Sequence, residues 1–347
     1  MRLLIHAPNV HQGGGRRLLT ALLSGAPSTV HATVDARLRL PPSVSESVIV
    51  TRVAPGLVAR LAAEWRLRTW ARPDDVVLCF GNLPPLFGTP ARVVLFLQNR
   101  YVVGPHSTRG LPLSMRVRIG IERAWLRARV RGAGTVVVQT PSMAREVEHV
   151  LRVTPVILPF LPEDLLEVPS AVEAKPKAQI DFLYVSSGEP HKNHLNLIAA
   201  WKLLASEGLS PSLTITVSCE RYPALCAAME EARVAGAKIE NVGTVEPPVI
   251  DALYERSAAV IYPSRFESLG LPLLEARAHG LPILAAELDY ARDVLDPVES
   301  FNPESPMSIA RAVKRFCDRA ESRQRMLTPM EFLEAVATLN GAPQTVE

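Results

Sequence analysis

The chain is 347 residues long, 48% hydrophobic and 21% charged, which suits two packed domains and excludes a disordered polymer. No apolar run reaches the ~20 residues that span a bilayer, and the first strand begins without a signal-peptide pattern, so neither a membrane-spanning nor a secreted protein is expected. The net charge of +3 is unevenly divided: residues 1–160 hold 21 Arg, no Lys and 8 acidic side chains, a balance of +13, against −10 for the remainder.

In chain order, Arg2–Ala7 reads as a first strand, and the loop His11-Gln-Gly-Gly-Gly-Arg16 leads into a helix over Arg16–Leu23. Three glycines exceed what a tight strand-to-helix turn needs and let the backbone approach a ligand closely, although the run lacks the G-x-G-x-x-G spacing of dinucleotide binders. Further strands are predicted at Thr29–Ala36, Val48–Val53, Val76–Phe80, Arg92–Gln98, Thr135–Gln139 and Pro155–Pro159. Helical patterns at Leu57–Trp70, Leu113–Arg131 and Ser142–Leu151 lie between them. Strands alternating with helices imply an α/β, doubly wound parallel sheet. Two of these helices are arginine-rich, one with Trp65 and Trp70 and one with Trp125. The stripe Val117, Ile121, Ala124, Ala128 is expected to face the domain core. The arginines, with few acidic neighbours, fit a surface on anionic headgroups.

Residues 161–179 turn to linker composition, with Leu161-Pro-Glu-Asp, Glu167-Val-Pro-Ser and Ala174-Lys-Pro-Lys-Ala. A second alternating series follows, with strands at Asp181–Val185, Leu213–Val217, Lys238–Val242, Ala258–Tyr262 and Pro282–Ala286. Its helices are predicted at Asn193–Ser206, Tyr222–Val234, Val249–Glu255 and Leu271–His279, with a mostly helical tail over Pro303–Leu339. Cys79, Cys219, Cys226 and Cys317 are widely spaced without a C-x-x-C pair, and read as reduced core cysteines, not a disulfide or zinc framework. His191 and His194 stand three apart with no third ligand nearby, and the aspartates form no D-x-D, so no metal site is expected.

The most informative segment is residues 263–282, where Glu267 and Glu275 flank a loop and Gly270 and Pro272 open a helix that ends at Gly280. The amides of Ser268, Leu269, Gly270 and Leu271 sit free at a positive helix N-terminus, a place for phosphate oxygens. Either carboxylate alone would be an ordinary loop or helix charge. Together they frame an anion between two groups that accept hydrogen bonds from hydroxyls, which is what a nucleotide sugar requires. The segment resembles the E-x7-E region of retaining family 4 glycosyltransferases, which have the GT-B fold.

That resemblance implies two Rossmann-like doubly wound domains facing a central cleft. Residues 1–165 would form the acceptor side, 166–179 a linker and 180–325 the nucleotide-sugar domain. Residues 326–347 would be a helical tail, which in the family crosses back to the first domain. Lys192, in Ser187-Gly-Glu-Pro-His-Lys-Asn193, is then expected to stabilise the leaving diphosphate, with Glu267 orienting sugar hydroxyls and Glu275 holding the ribose. Gly14 and Gly15 would face the diphosphate from across the cleft. Gln98 and Asn99, where relatives often carry a His, would lie near donor sugar and acceptor beside Arg16. Gly243, Thr244 and Val245 would lie beside the base. Asp293 falls where relatives often have a Glu at a helix start. The family Arg five residues before the Lys is Ser187 here, with Arg16 and Arg265 as candidate substitutes.

The implied reaction is glycosyl transfer with retention, using a nucleoside-diphosphate sugar as co-substrate and no metal cofactor. With the basic first half, it suggests a glycan or polyprenyl-diphosphate-linked acceptor in bacterial surface polysaccharide synthesis. The protein would be cytoplasmic and peripheral on an anionic membrane surface at the inner face, without nucleic-acid binding. Two alternatives stay open: another GT-B sugar-nucleotide enzyme such as an epimerase or inverting transferase, and a non-catalytic sugar-nucleotide-binding subunit.

Overall fold

The computed structural model describes residues 2–26, 30–42, 44, 48–166 and 178–317. Its first half contains β1 (Leu3–Ala7), β2 (His31–Asp35), β3 (Ile49–Val53), β4 (Val76–Cys79), β5 (Arg92–Phe96), β6 (Thr135–Val138) and β7 (Val156–Ile157). These pair in the order β3-β2-β1-β4-β5-β6-β7, and every pair is parallel. The second half contains β8 (Ile180–Tyr184), β9 (Leu213–Ile215), β10 (Ile239–Asn241), β11 (Ser257–Tyr262), β12 (Ile283–Ala286) and β13 (Glu299–Phe301). Their order is β10-β9-β8-β11-β12-β13, again all parallel. In both sheets the chain starts near the centre, winds to one edge and then crosses to the other side. The switch points lie between β1 and β4 and between β8 and β11, and open α/β sheets bind ligands outside the carboxyl ends of the strands at such points.

The connecting helices of the first half are α1 (Gly13–Ser24), α2 (Leu57–Trp70), α3 (Arg100–Val103), α4 (Leu113–Arg129) and α5 (Pro141–Leu151). Those of the second are α6 (His194–Ser206), α7 (Pro223–Val234), α8 (Pro247–Glu255), α9 (Leu271–Ala278), α10 (Asp289–Arg292) and α11 (Pro306–Phe316). Side chains close several ends: Thr140 accepts from Met143 N at the start of α5, and Ser305 from Ser308 N at the start of α11. Gly280, at φ 64°, ends α9 with its N–H on Arg277 O, while Leu281 N reaches Ala276 O. Strands covered by helices on both faces read as unbroken apolar runs, and Ala259, Val260, Ile261 and Tyr262 of β11 are all buried.

The halves are joined by packing as well as by the chain. Leu269, Leu271 and Leu274 share one apolar cluster with Ile5, Val10, Leu18 and Phe96 of the first half. Polar bonds cross beside it, from Thr140 Oγ1 to Ser268 O (3.1 Å) and from Ser142 N to Asp293 Oδ2 (2.8 Å).

Several expectations are corrected. Asp293 follows α10 instead of starting a helix, and its carboxylate caps α5 of the other half. The stripe of α4 is reversed: Val117, Ile121, Ala124 and Ala128 are exposed, and Ile119 and Leu126 face the core. Cys219 and Cys226 form a disulfide, closing the turn that leads from β9 into α7. The six residues between them fold into a turn and the start of α7 and bring the two together, a proximity that spacing alone leaves open. β13 and the short helices α3 and α10 were not predicted, because three- and four-residue elements carry too little periodicity. Most of the linker and the tail beyond Cys317 lie outside the described residues.

Candidate functional site

A cleft of ≈ 1230 Å³ opens between the two sheets, lined by the loops that follow β1, β5, β8, β9, β10 and β11. Two helices point their N-termini into it. One is α9, where Gly270 takes φ 72° and ψ 52° to turn the chain from Glu267 into the helix. Among the described residues, no protein acceptor takes the backbone N–H groups of Ser268 to Leu271. The other is α1: Gly13–Gly15 are its first turn and not a loop ahead of it. A β-carbon on Gly14 would lie 3.0 Å from Leu271 Cδ1, and one on Gly15 would lie 3.3 Å from Gln98 Nε2. Glycine is therefore what lets the two helix starts meet. Each end contributes about half a positive charge, so their meeting point favours an anion.

Lys192 ends a single 3₁₀ turn, Pro190–Lys192, before α6. Asn193 follows at φ 63° and ψ 30°, a left-handed conformation that only Gly, Asn and Asp adopt readily. Its amide fixes that conformation by donating to Pro263 O (3.0 Å) and Pro303 O (2.7 Å). Lys192 Nζ is thereby aimed at Glu267, donating to Oε1 at 2.7 Å, with the side chains 14% and 12% exposed. Tyr262, the last residue of β11, donates its hydroxyl to the same oxygen at 3.0 Å. Tyr184, the last residue of β8, donates to Lys192 O at 2.7 Å. Burial pushes the Glu267 carboxyl up, but the Lys192 ammonium and neighbouring donors outweigh it and hold it below the ordinary range. Burial and the same ammonium push His191 down to about 4 and His194 down to about 3. Both rings have protein partners: His191 Nδ1 meets the Tyr101 hydroxyl (3.1 Å), and His194 Nε2 meets Ser186 Oγ (3.0 Å).

Glu275, one helical turn past the loop, is buried and held on both oxygens. Oε2 accepts from Tyr254 (2.9 Å), and Oε1 accepts from Arg17 of α1 across the cleft. Arg17 also bonds Asp164 at 2.6 Å. Gln98 and Asn99 line the cleft, and their backbone N–H groups both donate to Asn82 Oδ1 (2.6 and 2.9 Å). Gln98 Nε2 donates to Phe80 O, and Asn99 caps α3 by accepting from Tyr101 N. Gly243, at φ 73°, turns the chain so that Thr244 and Val245 line the cleft.

Of the two cations considered beside Ser187, Arg16 lines the cleft, whereas Arg265 is turned away onto Glu304 (2.6 Å) and Pro190 O (3.1 Å). The sequence reading missed Arg221, which also lines the cleft, from the loop closed by the Cys219–Cys226 disulfide. Its guanidinium lies 5.8 Å over the ring of Tyr222, which packs on Gly188, next to Ser187. Also missed were Arg17, Tyr262 and Arg100, whose Nη1 donates to Glu267 O at 3.2 Å. The signal for Tyr262 was available: a tyrosine ends an otherwise apolar strand immediately before the loop.

Residues 169–328 match the family Glycosyl transferases group 1. The chain is similar to Serotype-specific mannosyltransferase WbdA of Escherichia coli, 27% identical over 158 residues, 45% of this chain and 19% of that protein. It is also similar to O-antigen chain mannosyltransferase B of Escherichia coli, 27% identical over 124 residues, 33% of this chain and 30% of that one. The chain thus aligns with less than a third of either relative. Among solved structures it resembles sucrose-phosphate synthase of Thermosynechococcus elongatus, with a TM-score of 0.68 at 16% identity, over 92% of this chain and 90% of that one. At that identity the likeness speaks for the fold, which is GT-B.

Proposed function

We propose, from the match of residues 169–328 to Glycosyl transferases group 1 and from the GT-B fold, that the chain moves a sugar from a nucleoside-diphosphate sugar to a glycan or lipid-linked glycan, retaining the anomeric configuration. The observation that carries this reading is the Lys192–Glu267 pair, set beside unpaired amides where two helix N-termini converge. The diphosphate lies against the α9 and α1 first turns, with Arg16 and Lys192 as its cations. As the sugar–phosphate bond breaks, negative charge grows on the phosphate, and preorganised donors aimed at it stabilise that charge more than the ground state. Glu267, kept ionised by Lys192, accepts from sugar hydroxyls. Glu275 accepts from the ribose, sharing its carboxylate with Arg17.

No side chain is assigned as a covalent nucleophile. The acceptor hydroxyl attacks on the face the phosphate leaves, and passes its proton to that phosphate, which gives retention. No protein group has to titrate in this step. The roles of Gly243, Thr244 and Val245 are to border the base through backbone groups. The two curated relatives are named as mannosyltransferases, which makes nucleoside-diphosphate mannose the first donor to try and surface polysaccharide, such as an O-antigen, the first acceptor class. A screen of nucleoside-diphosphate sugars by thermal shift tests the donor site, because a ligand at 100 times its Kd adds ~2.7 kcal/mol. Transfer is then assayed with the stabilising donor, and NMR of the product reads the new anomeric configuration. An inverted product overturns retention, and failure of every donor to stabilise the chain overturns the site.

A further inference from the structure

The outer faces of α2 and α4 form a surface that the donor site does not use. The helices approach each other through one side-chain contact, the Arg60 guanidinium of α2 lying 5.5 Å over the Trp125 ring of α4. Inward they bury Ala63, Leu67, Ile119 and Leu126. Outward, α2 presents Leu57, Val58, Leu61 and Trp65, with Val58 82% exposed and Trp65 55% exposed. On α4, Leu113, Val117 and Ile121 are 71%, 54% and 62% exposed and stand four apart, in one stripe. Large apolar side chains left this exposed on two neighbouring helices mark an interaction site.

The charge around it has one sign. Arg66, Arg68, Arg116, Arg127 and Arg129 are exposed on these two helices. Their only two carboxylates turn inward: Glu64 bonds His6, Arg60 and Leu86 N, and the Glu122 side chain is 18% exposed. The partner must therefore be negatively charged and must also admit apolar side chains. The acidic second half of another copy meets the first need and not the second, since its exposed large apolar residues, such as Leu195, Val234 and Val298, lie in separate elements. A bilayer with anionic headgroups meets both.

We propose that this face docks on an anionic leaflet, inserting the α2 and α4 apolar stripes between headgroups paired with the arginines. The inference rests on the acceptor side of the reading above and gives it a class, an acceptor anchored in that leaflet by lipid. The docked face and the cleft share an edge. A β-carbon on Gly110, just before α4, would lie 2.9 Å from Pro190, in the turn that carries Lys192. Arg118 of α4 lines the cleft. An acceptor held by its lipid reaches the cleft along α4 without leaving the membrane. Two side chains of these helices turn inward: Arg123 donates to Tyr101 O (2.7 Å) and His106 O (2.8 Å), and Trp125 donates to Pro84 O (3.0 Å); Trp70 is exposed but packs on His31 and Arg2, at the far end of α2.

The test is co-sedimentation of the full chain with phosphatidylcholine vesicles, with and without phosphatidylglycerol. Binding should be at least about tenfold stronger with the anionic lipid. Arg66→Glu with Arg116→Glu and Arg127→Glu should remove that preference. Val58→Ser with Val117→Ser and Ile121→Ser should weaken binding by about tenfold even at high salt, which screens the charges and not the insertion. Brominated lipid should quench fluorescence in the parent and not in Trp65→Phe. Thermal denaturation of each variant confirms folding. Equal binding to both vesicles, or unchanged binding by both triple variants, overturns the proposal. So does self-association in sedimentation that the same substitutions abolish. Donor stabilisation is measured in parallel: its failure with vesicle preference intact counts against the catalytic reading alone, and the reverse counts against this one alone.

Discussion

Replacing Lys192 by Met separates what its charge does for folding from what it does for turnover. In the folded chain the ammonium is 2.7 Å from Glu267, and neither side chain is more than 14% exposed. Methionine keeps the stem and removes the charge, leaving Glu267 with hydroxyl partners alone, Tyr262 and Ser264. A mostly buried group stripped of its charged partner costs about 1–3 kcal/mol. At about 2–4 °C per kcal/mol, Tm should fall by several degrees. Turnover should fall by at least roughly 10²-fold, the scale of a lost electrostatic stabiliser. The double variant Lys192→Met/Glu267→Gln carries neither charge, and glutamine can still accept from Tyr262. Its Tm should return toward the parent value, while turnover stays low because the diphosphate has still lost its cation. Calorimetry with a radiolabelled-sugar transfer assay reads both axes. Parent-level turnover in Lys192→Met, or recovery of turnover together with Tm in the double variant, would refute the assignment of Lys192 to the leaving group.

Glu275→Ala should raise donor KM more than it lowers kcat, because a ribose contact is made throughout the cycle; steady-state kinetics with an equal fall in kcat alone would show it acting at the transition state. Transfer should persist in excess EDTA, and activity abolished by chelation and restored by Mn²⁺ or Mg²⁺ would reveal a ligand set outside the proposed site. Acid should destabilise the chain through His191 and His194, whose folded values of about 4 and about 3 lie below the unfolded value near 6.5. Their neutral forms are favoured by folding, so stability is full above pH ~6.5 and falls as pH drops, by about 1.4 kcal/mol per unit for each until its folded value is reached. Urea titrations between pH 7 and 5 should show this slope in the parent and lose it in His191→Gln/His194→Gln; an unchanged slope would place the proton uptake elsewhere.

Both sheets were legible in the sequence because their central strands are covered on two sides and must be apolar throughout. Val76–Cys79 and Ser257–Tyr262 fall within a residue of their expected spans. The α9 start was legible because Gly270 and Pro272 perform functions that few other residues can, one at positive φ and one in the first turn. Lys192 was singled out by the resemblance alone; that the left-handed Asn193 aims it came only with the fold. The glycine run at 13–15 was half legible. Its composition announced a close approach, but the object approached is Leu271, more than 250 positions away, and no local pattern encodes that.

What escaped has a common cause: sequence periodicity states that a helix has two faces and not what each face meets. Val117, Ile121, Ala124 and Ala128 form as regular a stripe as any core helix, and were expected to point inward for that reason. The sheet instead takes Ile119 and Leu126, on the side from which Arg123 reaches back to Tyr101 O and His106 O. The only carboxylate on α4, Glu122, also turns from solvent. An acid placed inward and isoleucine and valine placed outward are costly for a helix that meets only water. The same limit hid the cross-cleft partners, Arg17 on Glu275 and Arg100 on Glu267 O, whose pairing depends on how two separately folded sheets approach. Arginines on a basic half could be counted from the sequence; which of them face the cleft, the other half or the outer surface is decided only when both halves pack.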